Sequence, residues 1–130
     1  MKRSIIVQTG QKLDVINVTA ELADLISDIE DGLAVFYTPH TTAALIINED
    51  DDELRADIAK AAESLLANLR PFQHARNSNP NAEAHIFSAL AGTTLTIPIE
   101  DGRLDLGTWQ NILFIELDGP KQREIRCKVI

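Results

Sequence analysis

The stretch "FYTPHTTAALIINEDDDE", Phe36 to Glu53, decides how this chain folds. It runs from one apolar strand through a polar turn into a second apolar strand, then straight into the acidic start of a helix. Runs as uniformly apolar as "LAVFYT" and "AALIIN" suggest strands covered on both faces rather than strands with one wet side. His40, Thr41 and Thr42 interrupt what would otherwise be continuous core. Asn48 and Glu49 stand where the second run stops. Polar groups pinned between buried flanks are held still, which is what a site requires.

Upstream, "RSIIVQT" reads as a strand, Gly10-Gln11 as a tight turn and "KLDVINV" as its partner. Thr19 is placed to cap a helix reaching about Ile29, with Leu22, Leu25, Ile26 and Ile29 as its apolar stripe and Asp31-Gly32 as its stop. Downstream, Asp50 with Glu53 has the acidic form of a capping box. The helix it opens carries Leu54, Ile58, Ala61, Ala62, Leu65 and Leu69 at helical spacing, and Pro71 ends it. "PFQHARNSNP" is a polar loop with His74 in its middle. Asn81 can cap a short helix, "AEAHIFSALAG", with the stripe Ala82, Ile86, Ala89 and Leu90. On it His85 and Ser88 are neighbours at i, i+3. From Thr93 the chain is β: "TLTIPI", a turn at Glu100–Arg103, "LDLGTWQ", "NILFIELD", a turn at Asp118-Gly119-Pro120, and "REIRCKVI". The expectation is a single α+β domain over 1–130. Its core is an extensive antiparallel or mixed β structure, sandwich-like, flanked by about three helices.

Composition narrows the function. At 130 residues, 45% apolar and 25% charged, the chain is sized for one globular core. A net charge of −8 argues against binding nucleic-acid backbones, which demand a basic surface. An anionic small molecule then needs local cations to offset the protein's own field. "MKRSIIVQTG" has only three consecutive apolar residues, which argues against a signal peptide or membrane span. The single cysteine, Cys127, shares a strand face with Ile125 and Val129, reads as a small buried hydrophobe, and fits a cytoplasmic setting.

Three histidines are present: His40 in the turn, His74 in the loop and His85 on the short helix. Three neutral imidazoles can hold a Zn²⁺-type ion and leave one position open. Their spacing is not a local ligand motif, however, and three unrelated histidines are the plainer reading. Glu49 precedes a helix cap and follows a buried strand, so it is either a macrodipole carboxylate or an inward base. Thr41 either satisfies turn backbone or donates to an oxyanion. In "GTWQ", Gly107 allows close approach and Trp109 with Gln110 suits a heteroaromatic ring, against the reading of Trp109 as core. In "NILFIELD", Glu116 and Asp118 share a face with Ile112 and Phe114 and end at a turn. Arg103 and Arg123 are candidate phosphate ligands.

"PHTTAALIINED", "NAEAHIFSALAG", "PIEDGRLDLGTWQ" and "ELDGPKQREI" together resemble the YjbQ-like family, described as secondary thiamine-phosphate synthases. The resemblance covers about Ile5 to Val129, and it implies a compact α+β homotrimer. It also implies that His40, His74 and His85 cluster as a metal or anion site, with Asn48, Glu49, Ser88, Trp109 and Gln110 in or near the same pocket. The implied reaction joins an aminopyrimidine diphosphate to a thiazole phosphate and releases pyrophosphate. On that reading Glu49, Asn48, Thr41 and Ser88 are the catalytic candidates. Trp109, Gln110, Gly107, Arg103 and Asp118 contact a phosphorylated substrate, and a divalent cation (Zn-type at the histidines, or Mg²⁺ with a diphosphate) is expected. Two alternatives stand beside it: a metal-dependent hydrolase using a His₃-bound water, and a non-enzymatic trimer that binds a metal or small ligand.

Overall fold

"NILFIE" becomes the central strand of a small sheet, and that position accounts for its composition. In a computed structural model that describes residues 3–74 and 80–130, the elements run β1 (Arg3–Gln8), β2 (Asp14–Asn17), α1 (Thr19–Leu25), β3 (Asp31–Tyr37), β4 (Ala43–Asn48), α2 (Asp52–Ser64), α3 (Ala82–Ala91), β5 (Thr94–Glu100), β6 (Arg103–Leu104), β7 (Asn111–Glu116) and β8 (Gln122–Val129). The strands form a five-stranded sheet ordered β1-β8-β3-β5-β6 and a three-stranded sheet ordered β2-β7-β4. Every pairing between them is antiparallel.

Three layers result. Ile112 and Phe114 of β7, with Ala43 and Leu45 of β4, face Phe36, Ile97, Ile99 and Ile125 of the larger sheet, and Leu22 of α1 closes this core with Ile26 just past the helix. The opposite face of the small sheet presents Ala44, Ile115 and Leu117 to Ala62 of α2 and Ala84 of α3. β4 and β7 are thus covered on both sides, as their unbroken apolar runs require. β3 departs from that expectation. Ala34 and Phe36 are buried, but Leu33 is 41% exposed and Val35 and Tyr37 only half-buried, because the outer face of the large sheet meets solvent. Tyr37 is instead roofed by Arg126, whose guanidinium lies 6.0 Å from the ring centroid.

The helices are also trimmed relative to their patterns. α1 stops at Leu25, and Thr19 is its first residue rather than its cap: the Thr19 hydroxyl donates to Asn17 and accepts the Ile112 backbone N–H. Asp51, not Asp50, caps α2 by accepting the Leu54 N–H at 2.9 Å. The α2 stripe ends in Leu65 and Leu69, which are exposed, because the chain has left the sheet by then.

One end of the sandwich is closed by charge. Glu116, fully buried at the end of β7, accepts from Arg123 Nε at 2.8 Å, from Thr9 Oγ1 at 2.8 Å and from the Asp118 backbone N–H at 3.0 Å. Arg123, itself buried on β8, also bonds Glu116 through its terminal nitrogen and reaches Thr42 Oγ1 and the Thr42 carbonyl. Burial alone would raise the Glu116 pKa, but the bonds from Arg123, the Asp118 amide and Thr9 hold it below its ordinary 4.5. His40 ties the same end down from the β3–β4 loop by accepting the Glu124 backbone N–H at Nε2, 3.0 Å. Burial lowers the His40 pKa below 6.5, and neighbouring Arg123 and Arg126 act the same way against Glu116 and Glu124.

The pair belongs to the class whose halves cannot be removed singly. Arg123→Met is expected to cost about 3–5 kcal/mol in chemical denaturation. Combining it with Glu116→Leu should recover most of that loss; a double variant as unstable as the single would sink this account. For His40, the fold favours the neutral ring, so the unfolded chain binds the extra proton. Its contribution is fully present above pH 6.5 and fades as pH falls below that value. His40→Gln should flatten this limb of the stability–pH curve, and an unchanged limb would refute the assignment.

Candidate functional site

The closed end of the sandwich is also where most of the chemistry-bearing side chains gather. Asp118, two residues past Glu116, is buried where β7 leaves the sheet. It accepts from the Asn81 amide at 3.0 Å and from Lys121 Nζ at 3.2 Å. Burial opposes ionisation there, but the bonds from Asn81 and Lys121 and the field of Lys12 hold its pKa below 3.8. Asp118 is therefore a carboxylate at neutral pH and can only accept.

That settles the orientation of Asn81. Its NH₂ must face Asp118, so its Oδ1 faces outward, 3.1 Å from His74 Nε2. A carbonyl oxygen only accepts, so His74 donates from Nε2 and Nδ1 lies outside this bond. The His85 ring stands edge-on to His74, with centroids 5.0 Å apart and planes at 88°. Asn81 precedes α3 in the cap position that the sequence suggests, yet its side chain makes no cap bond and serves this relay instead.

A cleft of about 770 Å³ opens beside the relay. Its floor is apolar, with Leu13, Ala62, Ala84 and Leu117; Phe72, His74 and Asn81 stand on its wall. Lys12 and Arg70 line it as well. Arg70 pairs with Glu83 across the cleft wall. The floor exists because the small sheet's outer face is only partly covered by α2 and α3. The Lys12 side is fixed by the turn after β7: a Cβ on Gly119 would lie 2.4 Å from the Gln11 carbonyl, so only glycine allows the two turns to approach this closely.

The residues singled out in the sequence fall at two ends of the small sheet. Ala43 of β4 pairs with Glu116, whereas Asn48 pairs with Asn111. Five residues separate these rows, about 17 Å along the strand. His40, Thr41, Thr42, His74, His85, Ser88 and Asp118 belong to the Glu116 end. Asn48, Glu49, Gly107, Trp109 and Gln110 belong to the other, and Arg103 is exposed on edge strand β6. Trp109 is 72% exposed rather than core, on a turn locked by the Gly107 N–H bonding Gln110 Oε1 at 2.8 Å. Asn48 and Glu49 are exposed, and Asn48 Oδ1 accepts the Glu49 N–H. Behind them Asn17 Nδ2 bonds Asp50 and Asn111, and Asp50 pairs with Arg55 at 2.6 Å. Ser88 is buried and its hydroxyl donates to the Ala43 carbonyl at 2.6 Å, which commits its proton to backbone.

A metal held by all three histidines finds no fit within one chain. His74 and His85 pair, His40 Nε2 is taken by Glu124, and among the described residues no three His, Cys, Asp or Glu side chains form a group that could hold an ion. Thr9, Lys12, Arg70, Phe72 and Asn81 are the contributors to this end that the sequence reading did not single out for chemistry. Only Asn81 carried a local signal, and that signal pointed to capping.

With this geometry in place, relatives can be compared. The chain is 39% identical over 123 residues to a UPF0047 protein of Archaeoglobus fulgidus, covering 95% of this chain and 96% of that one. It is 34% identical over 134 residues to the UPF0047 protein YugU of Bacillus subtilis, covering 100% and 99%. Among solved structures, a hypothetical protein from Aeropyrum pernix K1 superposes with a TM-score of 0.92 at 37% identity over 100% of this chain and 98% of that chain. A YbjQ-like protein of unknown function from Sulfolobus solfataricus P2 gives 0.91 at 29% identity, over 99% and 95%. A family model described as UPF0047 protein YjbQ-like matches residues 3–130. The chain belongs to the YjbQ-like UPF0047 family.

Proposed function

We propose that this protein is a small-molecule transferase of the cytoplasm, acting as a homotrimer. It joins an aminopyrimidine diphosphate to a thiazole phosphate in the cleft beside His74. The observation that carries this reading is the relay Asp118–Asn81–His74 at the cleft wall, which orients one imidazole through its Nε2. In the reaction the thiazole nitrogen forms a C–N bond to the pyrimidine methylene while the C–O bond to the diphosphate breaks. Pyrophosphate leaves with that electron pair, and the thiazole becomes a cation.

Catalysis of this kind asks for counter-charge on the leaving group and shielding of the reacting carbon from water. Among the described residues, Lys12 and Arg70 are the cations that line the cleft, and its apolar floor excludes water. His74 Nδ1 is the ring atom left to take a hydrogen bond from the pyrimidine amino group or, when protonated, to give one to the departing oxygen. The exposed Leu65, Leu69, Leu90 and Trp109, each more than 60% accessible, support self-association.

A second reading rests on the orthogonal His74–His85 pair, which supplies two of the three nitrogens of a hydrolytic metal centre and would need a donor from another chain. Elemental analysis of purified protein separates the two: a stoichiometric transition metal lost in His85→Ala favours the hydrolase.

Pyrophosphate release from the two precursors should fall about 10²-fold in His74→Ala and in Asp118→Asn with the fold retained. Full activity in both variants would refute the relay. Glu49→Gln should leave the rate unchanged if the site lies within one chain, and a comparable fall would place Glu49 at a site shared between chains. Light scattering should give a mass near three chains, and a value near the 14.3 kDa of one chain would refute the trimer.

A further inference from the structure

The ladder between β3 and β8 stops where its own pattern calls for one more pair. Leu33 and Ile130 exchange both backbone hydrogen bonds, each at 2.8 Å. Closely spaced pairs of this kind recur at every second residue of an antiparallel ladder. Val35↔Lys128 and Tyr37↔Arg126 continue that register, and two residues further it sets Pro39 opposite Glu124. Proline has no N–H to give, so this pair cannot close through backbone alone.

The residues on either side of Pro39 close it with side chains. Thr38 Oγ1 donates to the Glu124 carbonyl at 2.9 Å, in place of the absent N–H. His40 Nε2 accepts the Glu124 N–H at 3.0 Å. Thr38 is buried, and its own N–H bonds the Thr93 carbonyl at 3.0 Å on the β5 side. Thr38 and His40 thus splice the chain to β8 at the point where it leaves the large sheet for the small one.

The splice fixes the chemistry of the imidazole. Nε2 must present its lone pair, so the neutral ring has its proton on Nδ1. A histidine that ligates a metal shows the reverse pattern, donating its second ring N–H to a carbonyl, a carboxylate or water. A cation on Nδ1 would make Nε2 an N–H pointed at the Glu124 N–H, donor against donor. His74, by contrast, meets a carbonyl oxygen at Nε2.

The same splice reaches the cleft. Two residues after His40, the Thr42 carbonyl accepts the Leu117 N–H and an Arg123 guanidinium N–H, each at 3.1 Å. Leu117 belongs to the cleft floor, and the Gly119 N–H bonds the Lys12 carbonyl at 3.0 Å. A loop held at Glu124 therefore sets where Leu117 and Lys12 stand.

We infer that His40 is a positioning residue for the cleft, a fixed hydrogen-bond acceptor that completes the β3–β8 ladder in place of Pro39, and not a metal ligand. The inference rests on the reading above only in taking the cleft as an anion site.

The test begins with the full chain, ¹⁵N-labelled, at neutral pH. A nitrogen–nitrogen coupling across the hydrogen bond should link the Glu124 amide to His40 Nε2, with Nδ1 as the protonated ring atom. Equimolar Zn²⁺ should leave both unchanged, whether or not the ion binds elsewhere. Absence of the coupling, a proton on Nε2, or a coupling lost on adding Zn²⁺ would each overturn the inference. The second arm uses inorganic pyrophosphate as the probe. In His40→Gln the amide oxygen can still accept, so the pyrophosphate Kd should stay within about twofold of the parent, with the Leu117 and Gly119 amide shifts retained. His40→Leu leaves the Glu124 N–H without its acceptor and should weaken pyrophosphate by about fivefold or more while moving those two amides. If His40→Leu does not fold, the coupling and His40→Gln decide the matter. A His40→Gln variant that binds as poorly as His40→Leu would overturn the acceptor role. A parent chain that does not bind pyrophosphate would overturn the link to the cleft and the anion half of the transferase reading together, while the coupling still separates acceptor from ligand.

Discussion

A charged pair sealed from water holds together one end of this protein. Glu116 and Arg123 link the central strand of the small sheet to the large one, and through Thr9 and Thr42 they also fix the end of β1 and the entry to β4. Such a pair returns little net stability over a well-packed apolar alternative, since desolvating two ions offsets much of their attraction. What it imposes is geometry. Once Glu116 must meet Arg123, Thr9 and the Asp118 amide together, the turns around it have little freedom left.

The candidate site is built on that rigidity. The Asp118 amide is tied to Glu116, so its carboxylate emerges from the closed end in one direction, toward Asn81 at the start of α3. His74 reaches the same point from the other side of the loop. A site assembled from the end of a strand, the residue before a helix and a loop would ordinarily be loose. Here the strand end is clamped by buried charge, and the helix is packed on the small sheet through Ala84 and Phe87. The cleft opens against Phe72 and His74.

The division of the small sheet into two polar ends bears on how any activity would be organised. The end near Asn111 is a hydrogen-bonded knot of Asn17, Thr19, Asp50 and Asn111 that joins α1, α2 and β7. Its exposed Trp109 projects from a locked turn and does not line the cleft near His74. The end near Glu116 has the cleft, the relay and the cations. The chemistry-bearing residues therefore divide between an end with a cleft and an end with an exposed tryptophan.

Some of this was written locally in the chain. The α+β class, the strands from Arg3 to Gln8 and from Thr94 onward, and the double-sided burial of β4 and β7 follow from apolar runs and turn residues, because each is a property of consecutive residues; Pro71 does not mark the end of α2, which already stops at Ser64. β3 shows where this ends. Its run is as apolar as that of β4, but whether an outer face is covered depends on a layer supplied from elsewhere in the chain. Asn81 carried the mark of a helix cap and became the middle of a relay, since its NH₂ donates to Asp118, 37 residues away, and the Oδ1 that would cap the helix is taken by His74. The sequence by itself determined which residues were too polar for their surroundings to be only core. Tertiary structure alone decided that Glu116 pairs with Arg123, that His74 and His85 meet, and that Glu49 and Trp109 lie at the other end of the sheet. Strand register and loop closure bring together or hold apart residues whose local patterns contain no term for one another.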